Sequence, residues 1–170
     1  MTQEARYKKL PLTLEQALSG KSIKIQLPGG SKIKLNLKKG LYDGQLLRLK
    51  EPRSGQASGR QSGELILQVS LLDHPFYQID QLNIKAELPL SPAEAYSGCV
   101  RTFAGPDGKS LRLEIPPRTK DGDFLRIEQG GLKKGSERGD LEFTIRIDEN
   151  MALIEYMAVS SVWNQPTQIN

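Results

Sequence analysis

The sequence predicts a mainly β protein: two tandem small β-sandwich-like domains of the same fold, each with one short helix, plus a short C-terminal amphipathic segment. Three observations predict it. First, the chain repeats itself: a shift of 78 residues carries Leu10-Pro11-Leu12-Thr13 onto Leu88-Pro89-Leu90-Ser91, and Asp43-Gly44 onto Asp121-Gly122. Second, apolar and polar residues alternate within each copy, which is the period of a half-buried strand. Third, the chain has 170 residues, 37% of them hydrophobic and 26% charged. That is room for two small ordered units and too apolar for a disordered chain.

The repeat runs without a gap from Leu10 to Glu51. It also carries Ser19-Gly20 onto Ser97-Gly98 and Leu47-Arg48 onto Leu125-Arg126. Beyond a loop two residues shorter in the second copy, Gly63-Glu64-Leu65 matches Gly139-Asp140-Leu141 at a shift of 76. Copies of about 70 residues are too large for solenoid units. They read as domains over residues 5–77 and 78–147, with a tail over 148–170.

Each copy opens on a short apolar strand, Leu10 with Leu12 or Leu88 with Leu90, followed at once by a helix start. Thr13 with Gln16, and Ser91 with Glu94, have capping-box spacing, and Pro92 falls at the first helical position. Gly20 and Gly98 read as left-handed stops after barely two turns. Two alternating strands follow, Ser22 to Leu27 and Lys32 to Lys38, with Pro28-Gly29-Gly30 as a hairpin turn between them. Pro106-Asp107-Gly108 takes that place in the second copy, before Leu111, Leu113 and Ile115. Later strands fall at Leu46 to Leu49, Leu65 to Val69, Phe124 to Ile127 and Leu141 to Ile147. Each unit is expected to be mostly antiparallel. Arg53 to Ser62, polar and rich in Gly and Ser, reads as a mobile loop. In the tail, Leu153, Ile154 and Met157 fall on one helical face. Such a face is expected to pack on the domain's own sheet or on a second copy.

Composition excludes several classes. One cysteine, Cys99, cannot form an internal disulfide, and with one histidine, His74, no multi-histidine or cysteine-rich metal centre is expected. Aromatics are 6%, so the core should be mostly aliphatic. No apolar run approaches the roughly 20 residues that span a bilayer, and Met1 to Arg6 carry no apolar signal region. A cytoplasmic location is expected. Asp73-His74-Pro75-Phe76 has no accompanying nucleophile motif, so His74 reads as a turn histidine between the units. Asp121-Gly122-Asp123 resembles the start of a calcium loop but lacks its glutamate, and only Asp-Gly recurs in the other copy. No P-loop occurs. No enzyme is expected, and no cofactor.

Surfaces carry more. The net charge is +4, with +6 in residues 1–80 and −2 in residues 81–170. A polyanion would therefore prefer the first half. Lys21, Ile23, Ile25 and Leu27 share one strand parity. That face is either ordinary core or a shallow apolar groove with a lysine at its rim, and periodicity does not separate the two. Lys32, Lys34 and Lys38 share another face, with Lys39 adjacent. It is either a solvated sheet surface or a contact for phosphates or an acidic peptide. No aromatic residues interleave with these lysines, so base stacking is not expected.

Residues 7–147 resemble the C-terminal substrate-binding region of DnaJ-type co-chaperones, of the zinc-free class. The paired openings Leu10 to Gly20 and Leu88 to Gly98 carry the resemblance. So do Asp43-Gly44 to Leu49, Gly63-Glu64-Leu65 with His74-Pro75-Phe76, and Pro117 to Gly131 followed by Gly139-Asp140-Leu141. The resemblance implies two C-terminal domains in tandem. The first would hold non-native polypeptide in an apolar groove on Lys21, Ile23 and Ile25, with Leu67 as a weaker match, for transfer to a DnaK-type chaperone. It implies that Lys21 and Lys24 receive that partner's acidic C-terminal tail. It also implies a homodimer through a C-terminal helix, here on Leu153, Ile154 and Met157. The J-domain with its His-Pro-Asp motif is not among these residues, so this chain by itself is not expected to stimulate ATP hydrolysis by the partner, and it reads as a fragment or a truncated relative. The alternative is nonspecific DNA binding through the basic half; no membrane partner is implied.

Overall fold

A computed structural model describes residues 6–27, 30–50 and 63–150. In the first unit, β1 (Arg6–Leu12) leads into α1 (Leu14–Ser19), then β2 (Ser22–Gln26), β3 (Lys32–Asn36), β4 (Leu46–Lys50) and β5 (Glu64–Leu71). In the second, β6 (Gln78–Asp80) precedes β7 (Asn83–Leu90), α2 (Pro92–Ser97), β8 (Cys99–Ala104), β9 (Ser110–Ile115), β10 (Phe124–Ile127), β11 (Lys133–Lys134), β12 (Glu137–Arg138) and β13 (Leu141–Ile147). Sequence reading places neither β6 nor the β11–β12 hairpin.

The two units share one topology. β1 lies parallel to β5, which β4 joins antiparallel. β7 lies parallel to β13, which β10 joins antiparallel. Even the register repeats: Arg6 faces Leu65 as Ile84 faces Leu141, and Leu47 faces Leu67 as Leu125 faces Phe143. The antiparallel pairs were expected, but the parallel pair in each unit was not. Strand periodicity reports which face is buried and carries no information about the direction of a partner some sixty residues away. The alternating segments after each helix form the separate hairpins β2–β3 and β8–β9.

The recurring Asp-Gly pair has a structural task. The Asp43 carboxylate accepts the Leu71 amide at 2.8 Å, and the Asp121 carboxylate accepts the Ile147 amide at 2.8 Å. Gly44 and Gly122 donate to the Val69 and Ile145 carbonyls. Each pair thus pins the end of the central strand, and no calcium loop is needed to explain it.

Both capping boxes form: Thr13 accepts from the Gln16 amide and Ser91 from the Glu94 amide, with the reciprocal bonds present. Gly20 ends α1 in the left-handed conformation, φ 66 and ψ 25. Gly98 departs from that expectation, with φ 74 but an extended ψ of 158. A side chain there would press on the Pro117 nitrogen and the Ile115 carbonyl, so close packing as well as φ requires glycine. Ser91 is nearly buried, at 6% exposure. Ser91→Ala is expected to cost about 0.5–2 kcal/mol, read as a fall in Tm of roughly 2–4 °C per kcal/mol.

The cores differ in chemistry. The first is aliphatic: Leu10, Leu12, Leu35, Leu65, Leu67 and Val69 are its centre, with Ile23, Ile25, Ile33 and Leu47 packed at its margin. The second is also mostly aliphatic, as the composition leads one to expect, but it holds an aromatic cluster as well. Phe143 and Tyr77 are buried in it, with Phe76 and Phe103 against them. The ring centroids run 4.9 Å from Phe76 to Tyr77, 5.9 Å from Phe76 to Phe103 and 5.5 Å from Phe103 to Phe143. Leu14 and Leu18 of α1 also belong to this second core. The first unit's helix therefore completes the second unit's interior, and the Lys133 amide donates to the Gly40 carbonyl across the same junction.

Candidate functional site

The hairpin β2–β3 pairs Ile23 with Leu35 and Ile25 with Ile33. Alternation divides its faces. Ile23 and Ile25 are half-buried against the first core, while Ser22, Lys24 and Gln26 are exposed. Among the described residues β2 has no partner but β3, and β1 none but β5. Each therefore keeps one edge of main-chain donors and acceptors unpaired. A side chain links the two strands: Lys8, from β1, extends its ammonium to the Gln26 carbonyl on β2 at 2.9 Å. Tyr7, on β1, stands 70% exposed beside it in sequence. An open strand edge next to half-covered isoleucines can take an extended chain by backbone pairing and apolar burial together.

The sequence-derived residues fall in different places. Lys21 is exposed just before β2, on the parity of Ile23 and Ile25. Lys24 is on the opposite face, directly across from Lys34, so Lys21 and Lys24 do not share a surface. Leu67 is a correction: it is 1% exposed, in the centre of β5 between Lys8 and Leu47. It supports the floor from beneath and offers no surface to a ligand. Leu153, Ile154 and Met157 lie outside the described residues, as do Arg53 to Ser62 and Pro28-Gly29 of the hairpin turn. Sequence reasoning missed Tyr7 and Lys8, because their strand was read to begin at Leu10.

Lys24, Lys32 and Lys34 crowd the exposed face of the hairpin, and no ion pair engages them among the described residues. Like charges directly across a strand pair repel. This face is therefore electrostatically uncompensated and open to an anionic partner.

The second unit carries the equivalent edge in a different state. Cys99, Arg101 and Phe103 stand where Lys21, Ile23 and Ile25 stand in the first, so the lysine and the isoleucines do not recur. A cavity of about 370 Å³ opens there, lined by Phe76, Tyr77, Leu88, Arg101 and Phe103. The Tyr77 hydroxyl donates to the Ala104 carbonyl at 2.8 Å. Burial first, then the carboxylates of Asp107 and Glu15, push the Tyr77 phenol up to about 12; it stays a donor through the neutral range.

His74 organises this junction. Its Nδ1 accepts from the amides of Phe76 at 3.0 Å and Tyr77 at 3.1 Å. That assigns the ring proton to Nε2, which faces Glu15 Oε1 at 3.1 Å. Burial works to raise the Glu15 pKa, but hydrogen bonds from its own amide and from His74 outweigh it and hold the carboxyl below its ordinary value. These contacts make His74 a turn residue between the units, with both ring nitrogens engaged in structure. No cluster of three or more potential metal ligands occurs among the described residues, and no helix among them is long and apolar enough to cross a membrane.

Comparison with known proteins agrees with this architecture. The family model described as DnaJ C terminal domain matches residues 7–149. "Chaperone protein DnaJ 2" of Thermus thermophilus is 33% identical over 141 residues, which cover 81% of this chain and 48% of that protein. A Synechocystis protein of the same name is 30% identical over 140 residues, covering 82% and 43%. "Curved DNA-binding protein" of Pseudomonas syringae pv. tomato is 33% identical over 153 residues, covering 81% and 48%. The chain spans about half the length of the curated relatives it matches.

Proposed function

The chain belongs to the DnaJ C-terminal domain family, and from that premise we propose that its first unit holds an extended segment of non-native polypeptide for transfer to a DnaK-type chaperone. One observation carries the reading: the edge of β2, unpaired among the described residues, lies beside Ile23 and Ile25, which are only half covered. Unfolded chains expose extended apolar segments with unsatisfied main-chain groups, and this edge offers partners for both. Two or three aliphatic anchors contribute roughly 1.5–3 kcal/mol each when fully buried. Ordering the peptide consumes much of that. The affinity expected is therefore on the order of micromolar, which suits a protein that passes its client on. Lys21 at the rim is the candidate contact for the acidic tail of the partner. Lys24, together with Lys32 and Lys34, offers a separate anionic contact on the other face. In a homodimer, two linked grooves would add avidity.

The test is fluorescence anisotropy with a labelled, permanently unfolded apolar polypeptide at low and high salt. Ile23→Ser/Ile25→Ser, shown by circular dichroism to be folded, is expected to weaken binding at least about tenfold at both salts. Binding unchanged in the folded variant would overturn the site.

A second reading rests on the uncompensated lysines Lys24, Lys32 and Lys34. They suit nonspecific contact with DNA phosphates, and one relative is named for DNA binding. Affinity for duplex DNA that falls steeply with salt, and with charge removal at these lysines, would favour it. Apolar anchoring at Ile23 and Ile25 would respond to neither.

A further inference from the structure

We propose that the junction segment Phe76 to Asp80 is an internal occupant of the second unit's peptide edge, and that a client enters the first unit in the same pose. The inference rests on the groove reading above and specifies its ligand: two adjacent aromatic residues in a bend, the second a tyrosine, followed by a short extended segment running antiparallel to β1.

The two edges correspond residue by residue. In the second unit β6 pairs antiparallel with the outer edge of β7, Gln78 facing Lys85 and Ile79 facing Ile84. The repeat carries Lys85 and Ile84 onto Tyr7 and Arg6, where the same edge of β1 has no partner among the described residues. On the opposite side, β5 and β13 occupy the two edges in identical register, so the free and the filled edge are equivalent. Phe76 packs on Phe103, the counterpart of Ile25. Tyr77 faces Phe143, the counterpart of Leu67. Its hydroxyl donates to the Ala104 carbonyl, the counterpart of the Gln26 carbonyl.

That last carbonyl links the two states. In the second unit it accepts from Tyr77, and in the first from Lys8. The residue equivalent to Lys8 is Ala86, buried and small, which leaves space for the Tyr77 ring. In the first unit no tyrosine among the described residues reaches that carbonyl, and the exposed Lys8 satisfies it instead. A flexible ammonium at an exposed site is readily displaced. A client tyrosine would then take over the carbonyl while its ring covers Ile25 and the β1 edge.

The probe is a fluorescein-labelled peptide with the chain's own junction sequence, residues 75–81, and a control with its Phe and Tyr replaced by serine. Both are titrated into the full chain by anisotropy, beside the permanently unfolded polypeptide. The junction peptide is expected to bind at least about tenfold more tightly than the control, to compete with the unfolded polypeptide and to slow amide exchange at residues 6–7. Lys8→Ala, which copies Ala86, is expected to tighten its binding several-fold. If the unfolded polypeptide binds and is lost in Ile23→Ser/Ile25→Ser while the two peptides bind alike, or Lys8→Ala weakens the junction peptide, this pose is overturned and the groove stands. If neither the polypeptide nor the peptides bind, the groove reading falls and takes this inference with it.

Discussion

Phe143→Ala is expected to destabilise the chain by about 3–5 kcal/mol, a large part of the 5–15 kcal/mol by which most domains are stable. Phe143 is fully buried and sits in the middle of β13, held between Ala86 of β7 and Leu125 of β10. Its ring meets those of Phe103 and Tyr77. A strand paired on both edges cannot move inward to fill the void, so the cavity stays open and its lining loses contacts outright. Chemical denaturation should show the midpoint shifted with the transition still cooperative. A loss below about 1.5 kcal/mol would mean that the aromatic cluster collapses into the space.

Leu14→Ala is expected to cost about 2–5 kcal/mol, and to do so mainly in the unit to which Leu14 does not belong by sequence. Leu14 is 1% exposed and packs, with Leu18, in the core that holds Phe143, Ile84 and Leu90. Wild-type amides in β5 and β13 should therefore lose hydrogen-exchange protection in one event, because opening either unit strips α1 from the other. In Leu14→Ala the second unit's amides should exchange sooner and the common event should divide. Equal, undivided loss of protection in β5 and β13 would place the weight of Leu14 in the first unit instead.

The folded units were legible from sequence to an unusual depth, because repetition multiplies weak local signals. Thr13 and Ser91 each suggest a cap, and their recurrence at one shift makes both secure. The same holds for Asp43-Gly44 and Asp121-Gly122, whose carboxylates bind the amides of Leu71 and Ile147. The site was legible in part. Alternation in β2 put Ile23 and Ile25 on one face, and the structure places that face half in the core. It could not separate those isoleucines from Leu67, an apolar strand residue of the same kind that is sealed beneath them. Burial depends on how many layers lie above a residue, and strand period reports only which side it faces.

By itself, the sequence determined the two-unit plan, the caps, the recurring Asp-Gly pair and the face on which each β2 side chain lies. All of these depend on residues within a turn or a strand of one another, and both copies carry them. Only the tertiary structure decided what became of equivalent positions. Leu14 and Leu18 are buried by the following unit, whereas Tyr96, the counterpart of Leu18, stands 71% exposed. The outer edge of β7 is covered by β6, while that of β1 is open among the described residues. The physical reason is the same in both cases. Local propensity is inherited by each copy, but neighbours come from chain order: the segment that joins the two units lies along β7 and not along β1.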